Sequence, residues 1–167
     1  MISLYDILEA ANGQPFGEPG PQLFNNFCVD SRLASDSNLY VALKTERGDG
    51  HQFMREAVEN GATGIVCTRP PDFDTDGLSI IIVKDPLAAL MAWSHYIVGK
   101  LGVQVIGVGG INGKSVTTEA IRTVLASRYN VLSASEIGDE ITGKIRIPMT
   151  LAALTPEHRV AVLELDS

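Results

Sequence analysis

The chain has 167 residues, enough for one ordinary domain or two small ones, with the 45% apolar and 20% charged content of a soluble globular protein. Its formal net charge of −7 argues against nucleic acid or a membrane surface as partner, because both are anionic, and leaves room for a small nucleotide in a locally basic pocket. No apolar run approaches the roughly 18 residues of a membrane span, and the acidic start MISLYDILEA lacks the basic region of a signal peptide. Cys28 and Cys67 have no metal-like neighbours and are expected as two half-buried thiols in a reducing, cytoplasmic setting.

Ser3 is placed to cap a short helix, with Leu4, Ile7, Leu8 and Ala11 as its buried stripe and Gly13 as its stop. Residues 14–22 hold Pro15, Pro19 and Pro21 among glycines and read as loop. Residues 24–29 read as a strand that delivers Asp30, Ser31 and Arg32 at its end, and 39–43 as a second strand followed by a polar, flexible stretch, 44–50. A helix is predicted over 51–60, with Phe53, Met54, Ala57 and Val58 facing inward and Gly61 ending it. Then come a buried strand at 63–67, an acidic loop at 69–77 and a strand at 79–83. Asp85 caps a helix with Pro86 in its first turn, which buries Leu90, Met91, Trp93, Ile97 and Val98 in some combination and runs to about residue 101. Alternating strands and helices predict an α/β fold, with a boundary near 99–102 that separates a domain at 1–100 from a second α/β unit at 101–167.

The second unit opens with VQVIGVGGINGKSVTTEAIRTVL, residues 103–125. The apolar run 103–108 suits a buried parallel strand, the chain turns through Gly109, Gly110, Asn112 and Gly113, and Thr118, Ile121, Val124 and Leu125 then recur at helical spacing. Strand, glycine turn, Gly-Lys-Ser and helix is the layout of a phosphate-binding loop. Glycines let several N–H groups point into one bowl, and the helix adds its positive dipole end beneath. Lys114 can set an ammonium between β- and γ-phosphates as the catalytic candidate, and the Ser115 hydroxyl can take a position on Mg²⁺. Val108 stands where the general pattern has its first glycine, so the glycine spacing from Gly107 is one residue longer. The plainer alternative is a glycine-rich turn with a surface lysine. A strand at 130–132, a loop at 133–147, a short helix from 148 and a hydrophobic strand at 159–165 complete the chain. The last strand delivers Glu164 and Asp166, and a carboxylate there is either a magnesium holder or a surface acid. The unit supplies fewer strands than a mononucleotide-binding sheet normally holds, so the chain is expected to be a piece of a longer protein.

Three groups of residues, in order along the chain, resemble the Mur ligases of peptidoglycan synthesis. The first is Asp30-Ser31-Arg32, followed by Asn38-Leu39-Tyr40-Val41-Ala42-Leu43 and Gly48-Asp49-Gly50-His51-Gln52-Phe53. The second is Glu56-Ala57 with Asn60-Gly61-Ala62. The third is Gly110-Ile111-Asn112-Gly113-Lys114-Ser115, with Tyr129-Asn130-Val131-Leu132, Pro148-Met149-Thr150-Leu151, Leu154-Thr155-Pro156-Glu157-His158 and Val162-Leu163-Glu164.

The resemblance implies a small N-terminal α/β domain for the UDP end of the substrate, followed by a truncated P-loop ATPase unit. It places Ser31, Arg32, Asp49 and His51 near the uridine diphosphate, Gly110 through Val116 around ATP, and Ser115 and Glu164 on Mg²⁺. The implied reaction activates the peptide carboxylate of UDP-N-acetylmuramoyl-peptide as an acyl phosphate, which the amine of D-alanyl-D-alanine displaces, Lys114 and Mg²⁺ neutralising the transferring phosphoryl group. Without the resemblance, Ser31 and Arg32 are equally a capped turn with a surface arginine, and His51 a residue that starts a helix without a ligand.

The family often has Thr where Gly109, Ile111 and Val116 stand, and the asparagine-rich sequence expected within SASEIGDEITGKIRI is missing. The later magnesium-binding histidine, the modified lysine and the domain for the incoming amine are also absent, so this chain alone is not expected to ligate. A non-catalytic UDP-sugar or nucleotide-binding module and another Mur ligase step are the alternatives; a P-loop kinase or GTPase lacks its Asn-Lys-x-Asp signature. No oligomeric state follows from the sequence.

Overall fold

A five-stranded sheet and a three-stranded sheet carry the chain in two units, Met1–Trp93 and Ser94–Ser167. The structure, a computed structural model, describes residues 1–45, 48–133 and 143–165. In chain order the first unit contains β1 (Ile2–Ser3), α1 (Leu4–Ala11), β2 (Gln14–Phe16), β3 (Leu23–Phe24), β4 (Asn26–Cys28), β5 (Asn38–Val41), β6 (Lys44–Thr45), β7 (Gly48–Asp49), α2 (Met54–Glu59), β8 (Ala62–Cys67) and β9 (Ser79–Ile82). The helix α3 (Pro86–Leu101) spans the division between the units.

The first sheet runs β2-β9-β8-β5-β4; the last four strands are mutually parallel, and β2 pairs antiparallel on the edge. Strands β5 and β8 carry almost unbroken apolar runs because both faces of the sheet are covered. One face packs Cys28, Tyr40, Ile65, Cys67 and Ile80 with Met54 and Ala57 of α2. On β8, a Cβ at Gly64 would stand 2.5 Å from the Phe24 ring and 2.8 Å from Leu39. Phe27 meets Trp93 of α3 edge-on, ring centroids 4.8 Å apart, a geometry that aromatic quadrupoles favour. The Asp85 carboxylate accepts from the N–H groups of Leu87 and Ala88, the cap the sequence predicts.

Several expectations change. The stretch read as loop contains β2, where Pro15 is tolerated because an edge strand leaves one side of its backbone unpaired. The strand expected at 24–29 is broken at Asn25, whose N–H goes to the Ser37 carbonyl, so that β3 pairs with β1 and β4 joins the large sheet. Within the stretch 44–50, expected to be polar and flexible, Lys44–Thr45 and Gly48–Asp49 pair antiparallel as β6 and β7, and residues 46–47 lie outside the described residues. The helix predicted over 51–60 begins as a 3₁₀ turn, Gly50–Phe53, which rotates Phe53 outward to 46% exposure. Ser3 occupies the cap position of α1 without a side-chain bond, Asn12 ends that helix in the left-handed region, and Asp6 is buried while Leu8 and Ala11 are half-buried. Cys28 and Cys67 are fully buried rather than half-buried, and burial pushes both thiols up, Cys67 to about 11. Met91, a candidate for burial on α3, is exposed.

The second unit adds β10 (Gln104–Val108), α4 (Lys114–Leu125), β11 (Val131–Ser133), α5 (Arg146–Leu151) and β12 (Val160–Glu164). Its sheet is parallel in the order β10-β12-β11, with the last strand in the middle. Burial therefore falls on Val160, Ala161, Val162 and Leu163 of β12. Strand β10, expected to be buried, is an edge: Val105 is 46% exposed and Val108 is its one buried residue. Ile121 and Leu125 of α4 pack on Val108, Val160 and Val162, whereas Val124, expected in that stripe, faces outward. The helix α5 starts at Arg146, two residues before the expected Pro148, after a 3₁₀ turn at Gly143–Ile145. Residues 134–142 of the expected loop, and Asp166, lie outside the described residues. Among the described residues no helix is long and apolar enough to cross a membrane.

Candidate nucleotide and substrate sites

Strand β10 ends at Val108 and α4 begins at Lys114, so the loop 109–113 makes the whole turn from strand to helix. Gly110 at φ +148° and Gly113 at φ +77° hold conformations that L side chains rarely adopt. Gly113 is the N-cap and offers no side-chain acceptor, and the helix is entered through Thr117 N–H to the Gly113 carbonyl at 3.0 Å. The first N–H groups of α4 and the positive end of its dipole thus face the loop. Nothing lies within 4 Å of where a Cβ would stand at Gly109 or Gly113, so neither glycine is required by close packing at its Cβ. Lys114 Nζ donates to the Gly110 carbonyl at 2.9 Å, which folds the half-buried lysine over the loop. Ile111, Asn112, Ser115 and Val116 are all exposed around it.

Glu164 is the register partner of Val108, and Leu165 N–H bonds the Val108 carbonyl at 2.9 Å. Side chains alternate along a strand. Val160 and Val162 pack under α4, so Glu164, half-buried at the end of β12, stands on that same face and at the end where α4 begins. A donor set of backbone N–H groups, one ammonium, one hydroxyl and one carboxylate suits a phosphate chain with a divalent cation. Thr118, one turn after Lys114 and expected in the stripe of α4, is buried with its hydroxyl unpartnered, and the sequence assigned it no further role.

In the first unit, the carboxyl ends of the parallel strands β4, β5 and β8 deliver three segments to one edge of the sheet. After β4, the Asp30 carboxylate caps the turn through Arg32 N–H at 3.1 Å and takes the guanidinium in a fork, Nε at 2.9 Å and Nη2 at 2.6 Å. The Arg32 side chain bonding to it holds Asp30 below the usual carboxylate range. The Arg32 side chain is still 77% exposed. Ser31 is buried; its hydroxyl donates to Glu56 Oε2 at 2.6 Å, and its carbonyl accepts from Asn60 Nδ2 at 2.9 Å.

After β5, Tyr40 donates its hydroxyl to the Gly50 carbonyl at 3.0 Å, and burial pushes its pKa far up. His51 is buried, with Nε2 accepting from Thr68 N–H at 2.9 Å, so its proton sits on Nδ1 and goes to Asp49 Oδ1 at 2.6 Å. Asp49 is held below its ordinary range by the His51 backbone N–H first and by the ring second. Its other oxygen lies 3.8 Å from Arg69. Both nitrogens of His51 are thus engaged within the protein, by Asp49 and Thr68, and the residue lies in the 3₁₀ turn Gly50–Phe53. The structure brings Ser31 and Arg32 together with Glu56 and Asn60, and Asp49 and His51 together with Thr68 and Arg69. Glu56, Asn60, Thr68 and Arg69 carried no assigned role in the sequence, although Glu56 and Asn60 lie four apart, at the helical spacing predicted over 51–60. Among the described residues no cluster of three acidic, histidine or cysteine side chains forms a metal site.

Two mixed α/β units, the second built as strand, glycine turn and helix, define the class of fold. The chain belongs to the Mur ligase family and is homologous to its UDP-N-acetylmuramoyl-tripeptide–D-alanyl-D-alanine ligases over about a third of their length. It is 32% identical over 143 residues to that ligase of Bacillus subtilis strain 168, covering 86% of this chain and 31% of the relative. A crystal structure of MurF from Acinetobacter baumannii superposes with a TM-score of 0.84 at 28% identity, over 99% of this chain and 36% of that one. MurF from Thermotoga maritima in complex with ADP superposes with a TM-score of 0.68 at 26% identity, over 83% of this chain and 31% of that one. No protein-family profile matches the chain.

Proposed function

We propose that residues 1–100 bind the UDP end of a UDP-N-acetylmuramoyl-peptide and that residues 101–167 open the ATPase domain of a cytoplasmic ligase that adds D-alanyl-D-alanine. The observation that carries this reading is the Lys114 ammonium folded onto the Gly110 carbonyl, with Glu164 in register beside the residue that enters the loop. ATP with Mg²⁺ supplies the phosphoryl group that activates the peptide carboxylate. The N–H groups of 110–116 would hold the phosphates, Lys114, now on the Gly110 carbonyl, would neutralise charge on the γ-phosphate, and the Ser115 hydroxyl and the Glu164 carboxylate would hold the cation. The edge formed by Ser31, Arg32 and Asp49 takes the uridine diphosphate, with Arg32 as the phosphate partner.

Titration calorimetry tests both halves. Mg-ATP should bind the wild-type chain, and Lys114→Ala should weaken it by at least about tenfold, the loss of one charge-assisted contact. UDP binding should be untouched by that change. Mg-ATP binding equally to both proteins would reject the nucleotide site, and UDP binding without any ATP binding would favour a non-catalytic UDP-sugar module.

A further inference from the structure

The turn that carries Arg32 is gripped from two directions. From its own strand, Cys28 Sγ donates to the Asp30 carbonyl at 2.9 Å, and the Asp30 carboxylate sets both the turn and the plane of the guanidinium. From α2, Glu56 accepts from the buried hydroxyl of Ser31 at 2.6 Å, and Asn60, the residue that ends the helix, donates its Nδ2 to the carbonyl of the same residue at 2.9 Å. Glu56 is a costly residue to place at an edge meant for phosphates, because its charge repels them. The short bond to Ser31 turns that charge inward and uses it as a strong acceptor.

We infer that Glu56 is a positioning residue of this edge: acting through Ser31, it fixes the turn that presents the Arg32 guanidinium to the diphosphate of a nucleotide ligand. A guanidinium pinned in plane and position loses little freedom when it meets a phosphate, so the hydrogen bond at its base appears as affinity in the bound state. Asn60, holding the carbonyl of the same residue, serves the same end from the main-chain side. The inference rests on reading this edge as the uridine diphosphate site.

The test is calorimetry of the intact 167-residue chain with UDP and with uridine, the fold of each variant being followed by thermal unfolding. Glu56→Ala should weaken UDP by about tenfold, the equivalent of one lost charge-assisted contact, and leave uridine unchanged. Glu56→Gln keeps an acceptor for Ser31 and should stay close to wild type. With Arg32→Ala already in place, Glu56→Ala should cost no further UDP affinity, a coupling that a merely structural role would not give. Ser31→Ala removes the same bond from its other end and must give the same loss, which keeps the test decisive if Glu56→Ala does not fold. Undiminished UDP affinity in the folded Glu56→Ala or Ser31→Ala protein, or an equal loss with and without Arg32, overturns the inference alone. A wild-type chain that binds neither uridine nor UDP overturns the reading of the edge itself, and the inference with it.

Discussion

Asp30 does two jobs with one carboxylate: it caps a turn and it orients a guanidinium. Because Arg32 stays charged at every accessible pH, the pH dependence of this pair belongs to Asp30. The folded carboxyl is held below the range of the unfolded chain, so the stabilisation is complete above the ordinary carboxylate pKa near ~4 and disappears as pH falls through the lower folded value. Asp30→Asn keeps an oxygen for the Arg32 N–H and loses the charge. Urea unfolding of the two proteins should show the wild type ahead at pH 7 by under about 1 kcal/mol, as the exposure of the pair dictates, with the gap closing as the pH approaches 3. A gap that widens in acid would contradict the assignment. At this scale the sequence was partly legible. Gly-Lys-Ser and Asp-Ser-Arg advertise themselves by type and order. What Ser31 and His51 touch does not: their partners Glu56, Asn60 and Thr68 lie 17 to 29 residues away, and such pairing depends on how strands β4, β5 and β8 line up.

Among the elements, the runs with strong local signals were readable: β5, β8 and β9 from apolar continuity, α3 from its Asp-Pro start, α4 from its periodicity. The failures came where neighbours outweighed local preference. Pro15 looks like a breaker until an edge position makes its missing donor harmless. Strand β10 looks buried because it is apolar, yet exposure is set by its place at the end of the order β10-β12-β11. Gly64 shows the opposite case, a glycine inside a strand that reads as a weakness and is in fact a packing requirement. Its Cβ would sit 2.5 Å from Phe24 and 2.8 Å from Leu39, both fully buried. Gly64→Ala should therefore destabilise by about 1–3 kcal/mol through overpacking, read as a lower urea midpoint at unchanged slope. Gly99→Ala, where nothing lies within 4 Å of the new Cβ, should not be destabilising, and replacing glycine in the interior of a helix should gain a little stability.

For the molecule as a whole, a net charge of −7 opposes the approach of the anionic ligands proposed for both units. The arrangement of the charges answers this. In the first unit, Asp30 and Asp49 are each committed to an intramolecular cation or imidazole. In the second, Lys114 stands at the head of a helix whose dipole already favours anions. The local field is thus set by a few N–H groups and side chains within a Debye length of about 8 Å, not by the total. Ligand linkage makes the consequence measurable, since a ligand that binds only the native state stabilises it by RT ln(1 + [L]/Kd), about 2.7 kcal/mol at a hundredfold excess over Kd. Backbone amide exchange should report where that stabilisation lands first. UDP should slow exchange in the segments after β4, β5 and β8, at residues 30–34, 49–53 and 68–69. Mg-ATP should slow it at 109–118, where the orphan N–H groups of α4 would gain phosphate acceptors. Protection at 109–118 from UDP instead of Mg-ATP would reverse the assignment of the two sites, because the loop before α4 brings a glycine turn, a lysine and a helix start together in one place.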